Sequence, residues 1–332
     1  MHHTLQNIFS IQGERFMTTR CLTPTVARCL GTVQARSEEV SLSVPGAELH
    51  ATLTIPDSVG CPPVLMILAG SGPTDRDGNS PIGVHSNVYR KLARALAGAG
   101  YAVLRPDKRL IGESTVSDPR EDVLTFGTYI QDAEAWLRWL DERTDLAQVG
   151  VIGHSEGALI GLGAALDTPV GAYVSLAGAG ENVFSLVTRQ LHANTATPVL
   201  LLQEAERIMV SLRAGQTVAA VSPELMGLFR PSVQPYMISW MRLDPPAMLS
   251  RLNVPALIVQ GDRDVQVSVQ DAQNLAAAQP KAQLSVIAGM NHILVDAPAA
   301  LPENLATYAQ PELPLNTELV QTLTHFLDRV MK

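Results

Sequence analysis

The chain alternates between short apolar runs and stretches with helical spacing, and this alternation constrains its fold more than any other feature. The apolar runs read as strands buried on both faces: 64–69, 101–105, 149–153, 255–260 and 282–288. Segments with apolar residues at helical spacing lie between and after them: 87–98, 123–142, 156–166, 269–278 and 317–330. Repeated strand–helix units predict an α/β fold with a mostly parallel central sheet and helices on both faces.

The N-terminal part is predicted to differ from this repeating pattern. Residues 39–56 alternate between polar and apolar side chains around Pro45-Gly46, which predicts an antiparallel hairpin. We interpret residues 1–38 as an N-terminal extension, since they contain arginines but lack the continuous apolar segment of a signal peptide. Translation from Met17 and a cryptic export signal are the alternatives.

Residues 181–250 interrupt the strand–helix alternation with helical patterns, several prolines and five methionines. We predict that this stretch is a helical cap inserted over the C-terminal edge of the sheet, between core segments 39–180 and 251–332. The alternative is ordinary helical cover for one face of the sheet. Because thioether side chains adapt to varied apolar groups, a methionine-containing cap favours small to medium acyl groups as ligands.

Composition excludes several classes of protein. A net charge of −8 without basic runs argues against nucleic-acid binding. No apolar run approaches the length of a membrane span, so we expect no membrane partner. The three cysteines (Cys21, Cys29 and Cys61) lack zinc-site or disulfide-framework spacing, which predicts reduced thiols and a cytoplasmic location.

Candidate catalytic residues follow the predicted strands. In an open α/β sheet, ligands bind beyond the C-terminal ends of the strands, so the polar residues found there are expected to converge. Ser155 lies in Gly153-His154-Ser155-Glu156-Gly157, between a predicted strand and a predicted helix. The pattern is weak alone and also fits a structural turn, but in this context it predicts a nucleophile on a strained elbow.

A serine nucleophile needs a base and an acid that orients the base. Of the histidines after Ser155, His292 follows the last strand, whereas His192 lies in the insertion and His325 in the final helix. We therefore predict His292 as the base. Asp262 and Asp264 both follow one strand; we predict Asp264 as the acid because it is better placed to reach the imidazole.

The remaining predictions concern the oxyanion of the tetrahedral intermediate and the nearby loops. The backbone amides of Ser71 and Glu156 are the expected donors to this oxygen, although the loop 70–72 also fits a simple tight turn. Gly70, Gly72 and His154 are expected to contact substrate.

Polar residues near these donors have predicted structural roles. The Glu156 side chain is expected to complement the helix N-terminus, with proton transfer as the alternative. We expect the charges of 75–77 to pair with one another and rigidify their loop; gripping a polar acyl group is the alternative. Asp107 is expected to anchor its own loop.

Four motifs together resemble α/β-hydrolase-fold serine esterases, in particular the EstD-type bacterial carboxylesterases: "LAGSGPTDRDGN", "GHSEG", "GDRD" and "GMNH". The resemblance extends over residues 39–330. It implies that Ser155, Asp264 and His292 form the catalytic triad and that Ser71 and Glu156 supply the oxyanion amides. Many relatives have His-Gly before the oxyanion residue, where this chain has Ala69-Gly70.

The sequence thus predicts a serine carboxylesterase that hydrolyses small to medium acyl esters through an acyl-enzyme. It implies a small-molecule ester as substrate and no cofactor or metal, and it is compatible with a homo-oligomer. A thioesterase, peptidase or acyltransferase would use the same triad, and a non-catalytic ligand sensor is the alternative outside enzymes.

Overall fold

The computed structural model describes residues 34–57, 59–193 and 197–332. The strands in these ranges are β1 Ala35–Val44, β2 Ala47–Pro56, β3 Val64–Leu68, β4 Asn79–Ser80, β5 Val84–His85, β6 Ala102–Pro106, β7 Thr115–Val116, β8 Val149–His154, β9 Ala172–Leu176, β10 Ala256–Gly261 and β11 Gln283–Ile287. The α-helices are α1 Val88–Gly98, α2 Phe126–Asp141, α3 Glu156–Asp167, α4 Val183–Ala193, α5 Val199–Arg213, α6 Met226–Phe229, α7 Gln234–Trp240, α8 Pro245–Leu249, α9 Val269–Ala278, α10 Leu301–Ala306 and α11 Thr317–Met331.

The main sheet has the strand order β1-β2-β6-β3-β8-β9-β10-β11, and β7 pairs with β2. Pairing is antiparallel where β2 meets β1, β6 and β7, and parallel from β6 through β11. The predicted α/β architecture with a mostly parallel sheet is confirmed. The parallel strands all end at one edge, which is where the predicted site residues follow them.

The N-terminal hairpin begins earlier than its sequence pattern indicated. Its strands pair from Ala35 with Pro56 to Val44 with Ala47, around a two-residue turn at Pro45-Gly46. The predicted extension 1–38 is therefore too long by the residues that open β1. Apart from Ala35 these residues are polar, and they are mostly exposed, so apolar periodicity gave no signal for them. Residues 1–33 of the predicted extension lie outside the described residues.

Both faces of the sheet are buried by apolar side chains. Along β3, Val64, Met66 and Leu68 belong to one core, and Leu65 and Ile67 belong to the other. Helices α2, α3 and α9 contribute to the first core, and α1 and α11 contribute to the second. Because alternate residues face opposite sides of a strand, burial of both faces explains the continuous apolar runs in the sequence.

In the described part of the insertion, 181–193 and 197–250, all regular elements are helical. Its helices enclose an apolar core of their own, which contains Met209, Met237 and Met241. These thioethers therefore fill the interior of the insertion rather than an open binding surface. The argument from the methionines to substrate size is not supported for these three residues.

Two further observations concern the cysteines and the search for a membrane-spanning helix. Cys61 is disulfide-bonded, which corrects the expectation of three reduced thiols. Cys21 and Cys29 lie outside the described residues. Over the ranges that the structure describes, no helix has both the length and the apolar character needed to cross a membrane.

Arg76 and Asp77 pair with neighbouring elements rather than with each other, and Asp75 accepts hydrogen bonds from the N–H groups of Asp77 and Asn79. Arg76 donates to Asp107 through its backbone N–H (2.7 Å) and its Nε (2.8 Å), and its guanidinium also binds Glu39 and Glu113. The carboxylate of Asp77 binds Arg90 and Arg105. The rigid loop that we expected is present, but partners from β1, β6, α1 and the segment after β6 hold it.

Replacing Asp107 by alanine is expected to lower the free energy of unfolding by about 3 kcal/mol, since removing one member of a buried ion pair leaves the other charge undercompensated. The side chains of Arg76 and Asp107 are only 9% and 2% exposed. Urea denaturation followed by circular dichroism measures the change.

The matched control is Asp118→Ala. Asp118 pairs with Arg120 at the surface, where both side chains are about half exposed, and this change is expected to have no measurable effect. Equal losses of stability in the two variants would contradict the structural role of the buried pair.

Candidate active site

Ser155 lies on a strained turn between β8 and α3. Its backbone dihedrals are φ 54° and ψ −121°, in a region that residues with a side chain rarely adopt. The turn brings backbones together: a Cβ on Gly153 would lie 2.2 Å from the Gly157 carbonyl oxygen, and one on Gly157 would lie 2.3 Å from that of Leu68. Only glycine fits at these two positions, so the sequence dictates the sharp strand-to-helix bend that presents Ser155.

Asp264 and His292 are in direct contact. The Oδ2 atom of Asp264 lies 2.7 Å from Nδ1 of His292, and the carboxylate side chain is completely buried. Its oxygens also accept hydrogen bonds from the Gln260 amide and from the N–H groups of Gln266 and Val267. Burial acts to raise the pKa of Asp264, but His292 and these backbone donors outweigh it, so the pKa is lowered and the carboxylate stays ionised.

Asp262, the alternative acid, has a different partner. Its Oδ1 accepts a hydrogen bond from the Gly289 N–H at 2.7 Å, and Nε of Arg263 lies 3.9 Å from the same oxygen. Asp262 thus links the loop after β10 to the loop after β11. Of the two aspartates, the structure brings Asp264 to the imidazole.

The ring of His154 connects the strand before the nucleophile to the loop of the base. Its Nε2 lies 2.7 Å from the backbone carbonyl oxygen of His292, and its Nδ1 lies 2.8 Å from the Tyr89 hydroxyl. Because a carbonyl only accepts, Nε2 carries the proton and Nδ1 accepts from Tyr89. The Tyr89 oxygen in turn accepts the Gly70 N–H at 2.9 Å. His154, predicted to contact substrate, is instead a buried residue with both nitrogens occupied.

The environment of His154 keeps its ring neutral. Burial, reinforced by the neighbouring His292, lowers the pKa of His154 from its ordinary 6.5 to about 3. Two hydrogen bonds suit the neutral form, whereas a second proton on the ring would displace the bond from Tyr89. The hydrogen bonds that His154 makes with Tyr89 and His292 therefore persist through the pH range in which other histidines titrate.

The hydroxyl of Ser155 is not hydrogen-bonded to His292 in the ranges that the structure describes. Catalytic hydrogen bonds of this kind are often long before substrate binds. The two residues are nevertheless connected through His154, which directly precedes Ser155 and binds the His292 backbone.

The predicted oxyanion residues adjoin segments that lie next to the nucleophile. A Cβ on Gly70 would lie 3.2 Å from Cβ of Ser155, so the loop 70–72 runs beside the elbow. Glu156 is the first residue of α3, where backbone N–H groups have no partner within the helix. Ser71 and Gly72 are exposed, whereas Gly70 is buried and its own N–H is taken by Tyr89. The hydrogen bond to Tyr89 thus fixes Gly70 at the buried end of this loop.

The side chain of Glu156 is buried and paired with a cation. It is 3% exposed, and its Oε1 lies 3.2 Å from the Lys108 ammonium. Lys108 also donates to the Gly70 carbonyl oxygen at 2.6 Å. Glu156 therefore does more than complement the helix N-terminus.

The other histidines lie elsewhere. His192 is on α4, half-exposed, with Nε2 2.9 Å from a carboxylate oxygen of Glu206, and His325 is exposed on α11. No group of three or more histidine, cysteine or acidic side chains in the described portions is arranged to hold a metal ion.

Sequence reasoning missed Tyr89, Lys108 and Gln260. Tyr89 lies within the apolar pattern of α1 and Gln260 within a strand run, so neither interrupted a pattern. Lys108 directly follows Asp107 at the end of a strand, and that position was the available signal.

Known proteins resemble this chain in sequence and in fold. A family model described as serine aminopeptidase, S33, matches residues 82–298. Esterase EstD of Thermotoga maritima is 27% identical over 262 residues, covering 78% of this chain and 60% of that protein. The chain thus spans less than two thirds of the length of this relative.

Solved structures share the fold at lower identity. Est1E from Butyrivibrio proteoclasticus, with ferulic acid bound, superposes with a TM-score of 0.57 at 18% identity, covering 88% of this chain and 100% of that one. The α/β hydrolase GrgF from Penicillium sp. sh18 gives 0.58 at 19% identity, covering 90% and 99%. These similarities identify the α/β-hydrolase fold.

The low pKa of His154 predicts how stability depends on pH. Folding lowers this pKa, so the unfolded chain binds the proton first and stability falls as pH drops below the ordinary value of 6.5. Between about pH 7 and about pH 5 this residue is expected to contribute a loss of about 2 kcal/mol. His154→Gln has no such proton to gain and can retain one donor and one acceptor.

Urea unfolding of both proteins at the two pH values measures the effect. The wild type is expected to lose about 2 kcal/mol more than His154→Gln on acidification. The variant removes one titration and leaves all others in place, so it serves as its own control for the remaining groups. Identical pH dependence in the two proteins would contradict a buried neutral imidazole.

Proposed function

Because the chain belongs to the serine aminopeptidase S33 family, we propose that it is a serine hydrolase whose substrates are carboxylic esters. The observation that carries the proposal is the 2.7 Å contact between Asp264 and His292, in a structure that also holds Ser155 on a strained elbow. The similarity to an esterase, EstD, favours an ester as the bond that is cleaved.

In the proposed mechanism, Ser155 Oγ attacks the ester carbonyl and His292 Nε2 accepts its proton. Asp264 binds Nδ1–H, which leaves Nε2 free to accept, and its ionised carboxylate stabilises the imidazolium that forms. His292 then protonates the departing alcohol oxygen as the tetrahedral intermediate collapses to an acyl-enzyme. Water, deprotonated by His292, then attacks the acyl carbon. As the bond from this carbon to Ser155 Oγ breaks, His292 returns the proton to Oγ and the carboxylic acid leaves.

The negative oxygen of the intermediate needs donors that are already oriented. We assign the N–H groups of Ser71 and Glu156 to this role. The assignment is supported by the approach of Gly70 to Ser155 and by the position of Glu156 at the start of α3. The dipole of α3 adds positive potential at the same place.

We propose that the substrates are esters with small to medium acyl groups. The proposal rests on aromatic side chains and not on the methionines of the insertion. Tyr129 from α2 lies near Glu156, because the Lys108 ammonium is 5.6 Å from the centre of the Tyr129 ring and 3.2 Å from Oε1 of Glu156. Tyr236 packs against Tyr129, Phe126 and Trp240 with ring centroids 5.6–5.9 Å apart. We propose that this aromatic cluster limits the space for the acyl group and thereby disfavours long chains.

A peptidase is the second candidate, and the family description is the observation that favours it. The same nucleophile, base and acid cleave amides when the leaving amine is well positioned for protonation. An aminoacyl p-nitroanilide compared with the corresponding p-nitrophenyl ester distinguishes the two, and a higher kcat/KM for the anilide would favour the peptidase. Thioester and alcohol-acceptor substrates test the thioesterase and acyltransferase alternatives in the same way.

A homo-oligomer and a cytoplasmic location stay predictions.

Ser155→Ala is expected to lower kcat for p-nitrophenyl butyrate about 10⁴-fold or more, because the acyl-enzyme can no longer form. Steady-state hydrolysis followed at 405 nm measures the loss, and Ser117→Ala, on an exposed loop, is the control expected to keep full activity. Labelling of Ser155 by a fluorophosphonate tests the nucleophile directly. Full hydrolysis by folded Ser155→Ala would refute the proposal, and an unlabelled, inactive wild type would favour the ligand sensor.

A series of p-nitrophenyl esters tests substrate size. We expect kcat/KM to be highest for acetate to hexanoate and to fall about tenfold or more for dodecanoate, because the longer chain meets the aromatic cluster. Tyr236→Ala is expected to reduce this difference by opening the space. A preference for dodecanoate in the wild type is the outcome that rules out the aromatic limit.

A further inference from the structure

The Lys108 ammonium has three partners, all at the predicted active site. It donates to the Gly70 carbonyl oxygen at 2.6 Å and to Oε1 of Glu156 at 3.2 Å, and it lies 5.6 Å from the centre of the Tyr129 ring. The side chain is 11% exposed, so water competes little for these contacts. Ordering a lysine side chain in this way costs conformational entropy, which indicates that the three contacts have a functional role.

The contact with Gly70 controls the direction of a neighbouring N–H. The Gly70 carbonyl and the Ser71 N–H belong to one peptide unit, which is planar and trans, so the two groups point in opposite directions. Holding the carbonyl on Lys108 therefore turns the Ser71 N–H away from Lys108. The positive charge of Lys108 beside the carbonyl oxygen also polarises the amide and strengthens its N–H as a hydrogen-bond donor.

The contact with Glu156 joins the two proposed oxyanion donors. Glu156 holds Lys108 through its carboxylate, while its backbone N–H is the second donor. The carboxylate follows the nucleophile directly, and its charge alone would disfavour a developing oxyanion. The ammonium compensates that charge and at the same time fixes the peptide of the first donor.

Resting on the proposed function, we infer that Lys108 is a positioning residue that orients and polarises the Gly70–Ser71 peptide for binding of the oxyanion. Lys108 acts through this peptide and does not touch the reacting atoms. Its contribution is therefore to the transition state and the tetrahedral intermediate, with little effect on ground-state binding.

Lys108→Met, which has similar length and no charge, is expected to lower kcat for p-nitrophenyl butyrate by about 10- to 100-fold, somewhat less than the loss of a whole donor. KM is expected to change less than about threefold, because substrate in its ground state makes little use of the oxyanion donors. Lys108→Arg keeps a cation that reaches both oxygens and is expected to recover most of the lost kcat. Where Lys108→Met does not fold, Lys108→Gln provides the uncharged variant.

The matched control is Lys91→Met. Lys91 also donates to a backbone carbonyl, that of Leu313 at 2.5 Å, but outside the active site. Its removal is expected to leave kcat unchanged, which separates the general effect of losing a lysine–carbonyl contact from the proposed effect on the oxyanion.

Two inhibitors provide a readout that a merely structural role would not change. A trifluoromethyl ketone forms a tetrahedral adduct with a negative oxygen, whereas the matched methyl ketone binds largely without reaction. Lys108→Met is expected to weaken the trifluoromethyl ketone by the same factor as kcat/KM and to leave the methyl ketone within about twofold.

The possible outcomes distinguish this inference from the proposed function. Unchanged kcat in Lys108→Met, or equal weakening of both ketones, would overturn the role of Lys108 while wild-type hydrolysis and its loss in Ser155→Ala still stand. Absence of hydrolysis by the wild type would overturn the proposed function itself.

Discussion

The geometry of the site depends on the two hydrogen bonds of the neutral His154 imidazole. Its Nδ1 accepts a hydrogen bond from the Tyr89 hydroxyl, and its Nε2 donates one to the backbone carbonyl oxygen of His292. The Tyr89 oxygen in turn accepts a hydrogen bond from the Gly70 N–H. One buried ring thus connects the oxyanion loop, the strand before the nucleophile and the loop that carries the base. The two loops follow β3 and β11, and His154 is the last residue of β8. Strand ends alone fix the relative positions of these segments only approximately. A fully satisfied buried network can supply the remaining precision.

Two consecutive residues after β6 hold the other side of the same loop. Asp107 binds Arg76 near its end, and Lys108 binds the Gly70 carbonyl near its beginning. Both ends of a loop that is partly exposed are therefore attached to one short segment of the sheet's C-terminal edge. This arrangement explains how an exposed residue such as Ser71 keeps a defined backbone orientation.

The sequence predicted the features that arise from periodicity and from the ends of strands. Ser155, Asp264 and His292 each follow a strand that an apolar run identified, and parallel strands bring their ends to one edge. The partners of these residues were not predictable in the same way. Tyr89 and Gln260 lie inside regular patterns, where a polar group bonded to a distant residue leaves no local trace.

Two of the corrections within the fold have similar causes. β1 begins in polar residues whose pairing is visible only once β2 lies beside them. Met209, Met237 and Met241 share one apolar core, which forms through contacts between helices that a linear pattern does not specify.

The unusual dihedrals of Ser155 imply that chemistry and stability are opposed at this residue. A non-glycine residue in such a conformation is typically about 1–3 kcal/mol above a relaxed one, and the surrounding packing has to compensate. Glycine would adopt this conformation at lower cost, so selection for stability alone would not retain the serine. If Ser155 is the nucleophile that we propose, the protein keeps an energetically unfavourable backbone conformation for the sake of its hydroxyl group.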